Sequence, residues 1–165
     1  MRANVTETDR AFLLRAIQLA AENSADGVEN PEGGPFGAVI VRDGKILAEG
    51  KNRVLANVDP VAHAEIEAIR AACQKTRHFH LTGATLYASS EPCPMCLAAA
   101  YWARIARIVY ANSRAEAAAI GFDDADIYRE LALPEQARRL TMIHLPLPEA
   151  SLPLAAWKRQ GRTMY

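Results

Sequence analysis

The sequence predicts an α/β protein built as a three-layer α/β/α sandwich on a mixed, five-stranded sheet. Two observations carry this. Short apolar strands alternate with stretches of helical periodicity along the chain, and the first two strands are joined by Asp43-Gly44, a strong hairpin signal that makes them an antiparallel pair. A third observation is size: 165 residues and 18.0 kDa correspond to about one domain, which at this length buries roughly 70% of its unfolded surface. Residues 1–165 are therefore read as one domain.

The elements follow in order. Thr6 or Thr8 can cap an opening helix in which Ala11, Phe12, Ala16, Ile17, Leu19 and Ala20 recur at helical spacing. The Gly/Pro-rich stretch 27–35 is a loop. Residues 36–41 (FGAVIV) read as a buried strand and 46–50 as its return. Asp59-Pro60 marks a helix start, with Asp59 as cap and Pro60 in the first turn, and that helix runs to about Arg77. Residues 84–89 (ATLYAS) form a third strand. Pro92 and Pro94 bracket the start of a helix that runs from Cys93 to about Ala103, and 107–111 (RIVYA) form a fourth strand. A short helix at 113–120 precedes a Gly-Phe-Asp-Asp loop; a weaker fifth strand lies at 141–145 and a last helix at 152–159.

Composition narrows the function classes. Lys+Arg and Asp+Glu are 19 each, so the net charge is zero, which argues against holding a polyanion by bulk charge. Hydrophobic residues at 50% and charged residues at 23% exclude the disordered class. The cysteines at 73, 93 and 96 are too few, and odd in number, for a disulfide scaffold. Residues 1–9 show no secretory pattern, and no stretch reaches the roughly 18 apolar residues that a membrane span needs. The expectation is a soluble cytoplasmic protein with no membrane partner.

Two short segments carry chemistry: His63-Ala64-Glu65 and Pro92-Cys93-Pro94-Met95-Cys96. Cys-x-x-Cys alone fits a metal, a redox dithiol or neither. A redox reading leaves His63 and Glu65 without a task. Both segments fall at predicted helix starts, where the positive end of the helix dipole favours thiolate, the form a metal needs. Cys93 and Cys96 share one side of a first turn. His63 and Glu65, two apart, would diverge by about 200° inside a helix, so they can serve one site only at its start. One His and two Cys suit Zn²⁺ in a tetrahedron with one position open to water. Cys73 lies roughly 15 Å down the helix axis from His63 and is read as a small core residue. Glu65 is then free to act as general acid and base.

H-x-E followed by P-C-x-x-C is the signature of the zinc-dependent cytidine deaminase superfamily, and the chain resembles it. Within that superfamily GGPFGAVIV (33–41), EGKNRV (49–54), DPVAHAE (59–65), SSEPCPMCLAAAYWARI (89–105) and AAIGFDDADIY (118–128) are similar to the bacterial guanine deaminases, as are Trp157 and the closing Tyr165. The resemblance implies a cytidine deaminase-like fold and hydrolytic deamination of guanine to xanthine and ammonia. It implies zinc on His63, Cys93 and Cys96, and Glu65 as the proton carrier. Asn52 and Asp124 would contact the purine; a carboxylate suits N–H donors. The family pattern further implies a homodimer in which a C-terminal segment, about 146–165, is exchanged between subunits and Tyr165 helps close the partner's site. Ser90 stands where the pattern has Cys, and Ala98–Ala100 replaces a Gly-containing stretch; neither touches the ligand set. Phe36 and Trp102 are candidates for the pocket wall or the core. Alternatives within the superfamily are deamination of another small amino-heterocycle, such as cytosine or guanosine, and of tRNA adenosine. The last would want a basic surface, whereas Asp123, Asp124 and Asp126 crowd the substrate loop and Lys158, Arg159 and Arg162 are the one basic cluster near the end.

Overall fold

The computed structural model describes residues 5–25 and 28–161. The chain divides into two compact units, Met1–Ala125 and Asp126–Tyr165. The first opens with α1 (Glu7–Ala21), and Thr6 caps it: its hydroxyl accepts from the Asp9 N–H at 3.1 Å while its own N–H donates to Asp9 Oδ2 at 2.8 Å. The same carboxylate ties the helix to the sheet, accepting from Arg107 Nη1 at 2.6 Å and the Tyr87 hydroxyl at 2.7 Å. Arg107 chiefly, then Tyr87, holds the Asp9 carboxyl well below the usual carboxylate range. Burial, then Asp9, pushes the Tyr87 phenol up to about 12.

The sheet has four strands: β1 (Gly37–Arg42), β2 (Lys45–Lys51), β3 (Thr85–Ser90) and β4 (Arg107–Asn112), ordered β2-β1-β3-β4. β1 pairs antiparallel with β2 and β3, while β3 and β4 run parallel, so the sheet is mixed as expected. The alternation along β1 sorts its side chains into two cores. Ala38 and Ile40 join Ala64, Ala68, Leu81, Leu86 and Ala100 on one face; Val39 and Val41 join Ala16, Leu19 and Tyr87 of α1 and β3 on the other. A strand buried on both faces reads as the unbroken apolar run the sequence shows. Helices on both faces of this sheet give the expected α/β/α layering.

Two features of this unit position the site. Gly50 of β2 faces α3 (Ala64–Thr76) so closely that a Cβ there would strike the Ala64 carbonyl oxygen and the Ala68 nitrogen. With alanines at 64, 68 and 72 on its inner face, α3 lies almost in backbone contact with the sheet. α3 also starts later than the Asp59-Pro60 signal suggests. Val58 is left-handed (φ 50°), and Asp59 Oδ1 accepts from the Val61 N–H at 2.9 Å, closing a local turn instead of capping a helix. The segment from 59 to 62 is therefore turn, and a four-residue helix, α2 (Val54–Asn57), precedes it. α4 (Pro94–Trp102) and α5 (Arg114–Ala119) fall where the sequence puts them.

The second unit carries most of α6 (Ala125–Ala132), which the sequence reading missed, and α7 (Ser151–Arg159). Ion pairs from Arg139 to Asp126 and Glu130 hold its first part together. The fifth strand expected at 141–145 is not formed: residues 141–147 have no regular structure, and the sheet has four strands. Pro146 and Pro148 close that stretch and have no N–H to give a ladder. None of the described residues 126–161 is buried, and Leu140, Ile143, Leu145, Leu152 and Leu154 are exposed. No helix among the described residues is long and apolar enough to cross a membrane.

Candidate active site

Both chemistry-bearing segments sit at helix starts. His63 is the N-cap of α3, extended (φ −70°, ψ 156°), and its carbonyl accepts the first helical bond from the Glu67 N–H at 2.9 Å. Cys93 is the N-cap of α4 (φ −65°, ψ 169°), with Pro94 opening the helix and Cys96 in its first turn. The two positive helix ends thus meet over one point. His63 Nδ1 stands 3.5 Å from Cys93 Sγ and 3.6 Å from Cys96 Sγ, and the three donor atoms all lie within 4.8 Å of one another. In a tetrahedron with Zn–S of about 2.3 Å and Zn–N of about 2.0 Å, the S···N edge is about 3.5 Å. The donor set and its spacing therefore fit zinc. Among the described residues the cluster has three members, and Cys73 is elsewhere, packed against the main core.

The electrostatics agree with a site prepared for a cation. A hydrogen bond from Cys96, with help from His63, draws the Cys93 thiol down to about 4. That same bond and burial push the Cys96 thiol up, and the Cys93 sulfur raises His63. Glu65, in the first turn of α3, is 8% exposed with its carboxylate in hydrogen-bonding reach of the Cys96 sulfur; burial raises its pKa. A carboxyl whose pKa is raised by burial is a stronger base when ionised and can take and return a proton.

Beside His63 opens a cleft of about 470 Å³, lined by Gly33–Phe36, Asn52, Val54, Leu55, Pro60 and Phe122 as well. Its walls are apolar, and Phe36 meets Phe122 edge to face with ring centroids 4.8 Å apart. Asn52, just past β2, is the polar exception. Its Oδ1 accepts from the N–H groups of Gly34 at 3.1 Å and Val54 at 3.2 Å, which fixes the amide's orientation. Its Nδ2 donates to no described residue and is the group left for a guest. Asp124 is half-buried. Its Oδ1 is shut off from solvent with no hydrogen-bond partner among the described residues. Burial raises its pKa, Arg114 opposes that, and Cys93 is near enough to add to it. A buried acceptor without a donor is an expensive thing to keep unless something fills it.

The structure thus brings His63, Cys93, Cys96 and Glu65 together and sets Asn52 on the adjoining wall and Asp124 within electrostatic reach. Tyr165 lies outside the described residues. Phe36 is in the wall; Trp102 is 65% exposed and does not line the cleft. The sequence reading gave no role to Phe122, although it stands beside the Asp123-Asp124 pair, or to Gly33-Gly34, although both lie in stretches that carry the resemblance. A Cβ at Gly33 would run into Asn52, and one at Gly34 would come within 3.0 Å of both phenyl rings, so the glycines let Asn52 approach the cleft floor.

Comparison with known proteins agrees with this geometry. Residues 6–112 match the cytidine and deoxycytidylate deaminase zinc-binding region. The chain is 48% identical over 147 residues to guanine deaminase of Bacillus subtilis (strain 168), covering 89% of this chain and 92% of that protein. The crystal structure of guanine deaminase from Bacillus subtilis superposes with a TM-score of 0.87 at 43% identity, over 98% of this chain and 99% of the other. The tRNA-specific adenosine deaminase of Haemophilus influenzae is 38% identical over 125 residues, 72% of this chain and 69% of its own length.

Proposed function

The chain belongs to the cytidine and deoxycytidylate deaminase zinc-binding family, and from that premise we propose that it is a guanine deaminase, a zinc enzyme that converts guanine and water to xanthine and ammonia. The support is one juxtaposition: a buried carboxylate, Glu65, against a three-member His/Cys/Cys cluster, at the edge of an apolar cleft that offers one fixed donor and, nearby, one unpartnered acceptor. Guanine presents O6 and N7 as acceptors and N–H groups as donors, so it can answer both.

His63, Cys93 and Cys96 would hold the metal. Zinc, when bound, supplies the Lewis acidity that makes water a nucleophile near neutral pH. Glu65 takes a proton from the attacking water and places it on N3 as a C–O bond forms at C2 of the purine, then passes the remaining hydroxyl proton to the exocyclic nitrogen as C2=O forms. The C–N bond breaks and ammonia leaves. Phe36 and Phe122 hold the ring plane and exclude water; Asn52 Nδ2 donates to a ring acceptor, and Asp124 accepts from a ring N–H. The three unpaired cysteines suit a reducing, cytoplasmic setting.

An ammonia-release assay on zinc-loaded protein tests this. The panel is guanine, guanosine, adenine, cytosine, cytidine and a tRNA anticodon stem-loop. Guanine is expected to be the best substrate, and Asp124→Ala to harm guanine deamination more than cytosine deamination, because an unpaired N–H is the larger penalty. Preference for the stem-loop or a pyrimidine overturns the substrate reading; equal loss on both bases removes Asp124 from it.

Residues 1–165 act as one functional domain, completed by a second copy of the chain, in which the segment from about 146 to Tyr165 passes to the partner and its last Tyr helps close the partner's cleft. The support is the apolar surface of the second unit, which at about 40 residues is too small to build a core of its own. The full chain is expected to sediment as a dimer, and a truncation before residue 146 to lose catalysis while keeping zinc. A monomeric full chain with normal turnover overturns this.

A further inference from the structure

Asn23 lies just beyond α1, outside the cleft, and is 6% exposed. Its Nδ2 donates to two backbone carbonyls from distant parts of the chain, Gly34 O at 3.0 Å and Asn52 O at 2.8 Å. The Gly34 N–H in turn holds Asn52 Oδ1 at 3.1 Å, and the Asn52 N–H donates to Phe36 O at 3.0 Å. One side-chain amide therefore staples the 33–36 loop to the end of β2 at the point where Asn52 turns into the cleft. The rest of Asn23 is poorly served: its Oδ1 is buried with no partner among the described residues. A buried amide with one half unsatisfied is kept only where its other half is needed, since an apolar side chain of that size would avoid the penalty. What is used here is a pair of donors on one atom, which Asp cannot supply and Ser can supply only in part.

We propose that Asn23 is a positioning residue for substrate recognition, acting through Asn52 by fixing the Gly34 and Asn52 peptides so that Asn52 Nδ2 points at the purine. It touches neither the metal ligands nor the substrate. The inference rests on the reading of Asn52 as a purine contact. Loss of the staple frees the 33–36 loop and lets the Asn52 amide rotate. Purine binding weakens while the metal and the proton carrier stay in place.

A double-mutant cycle on the zinc-loaded chain, read out by kcat, KM and zinc content with guanine, tests this. Asn23→Asp is expected to lower kcat/KM about tenfold, the scale of one or two neutral hydrogen bonds, through KM and with zinc content unchanged. Asn23→Ser, which keeps one donor and is the gentler change should Asp disturb folding, falls between. Asn52→Ala lowers kcat/KM by itself, and adding Asn23→Asp or Asn23→Ser to it costs nothing further. If the Asn23 variants lower Tm but leave KM alone, or if their effects multiply with that of Asn52→Ala, Asn23 is merely structural and the proposal is overturned. If Asn52→Ala is silent, the Asn52 reading fails first and takes this one with it; if Asn52→Ala is impaired and the Asn23 variants are not, only the Asn23 inference falls.

Discussion

Glu65→Gln is expected to keep its zinc and lose kcat by at least about 10²–10⁴-fold, the span a single general acid–base group contributes. The two side chains are nearly isosteric, and position 65 is 8% exposed in the first turn of α3, so packing against the sheet should survive. What changes is chemistry. Gln neither takes a proton from water nor returns one to the leaving nitrogen, and in the proposed mechanism both transfers fall to the same carboxylate. The burial that raises Glu65 also keeps bulk water from replacing it. Elemental analysis of the purified variant beside steady-state ammonia release decides it. Turnover within a few-fold of the native chain, with zinc in place, would show that another group moves the proton. Zinc loss would show that Glu65 serves the ligand cage instead.

Removal of the metal is the second large effect. A chelator is expected to abolish deamination, and one equivalent of Zn²⁺ per chain to restore it. The stripped chain should stay folded, because its cores are built from Ile40, Leu81, Leu86 and Val39, all fully buried and independent of the cluster. Far-UV circular dichroism should therefore hardly change while Tm falls, as expected when a ligand that binds only the native state is withdrawn. Cys96→Ala should be restored by no amount of zinc. The sulfur at 96 is one of only two in the cluster and is fully buried, so no solvent or neighbour replaces it. Activity that persists after the metal is gone would end the hydrolytic reading.

Much of this was legible because the chemistry is local in sequence. His63 with Glu65, and Cys93 with Cys96, are each within a turn of one another at a helix start, and the helix ends announce themselves through proline and an apolar run. The strands of the first unit were legible for the same reason, β1 above all, since double burial leaves an unbroken apolar stretch. Side chains that serve a turn rather than an element misled the reading. Asp59 looks like a helix cap but spends its carboxylate on the Val61 N–H, which delays α3 to Ala64. Residues 141–145 read as a weak strand, yet Pro146 and Pro148 close the stretch and no ladder forms. Asn23 gave no signal, because its partners are backbone carbonyls at Gly34 and Asn52 and no local pattern encodes them.

The unpartnered oxygen of Asp124 has a consequence for how this enzyme can change. A buried acceptor without a donor among the described residues is a standing cost to the resting fold, and under the proposed recognition it would be relieved only while a guest with the right N–H is present. Heat resistance and selectivity therefore pull in opposite directions at this one position. A lineage or a laboratory selecting only for endurance would be rewarded for trading the carboxylate for something greasy and, if Asp124 reads the base as proposed, would end with a sturdier catalyst that no longer knows which base it holds.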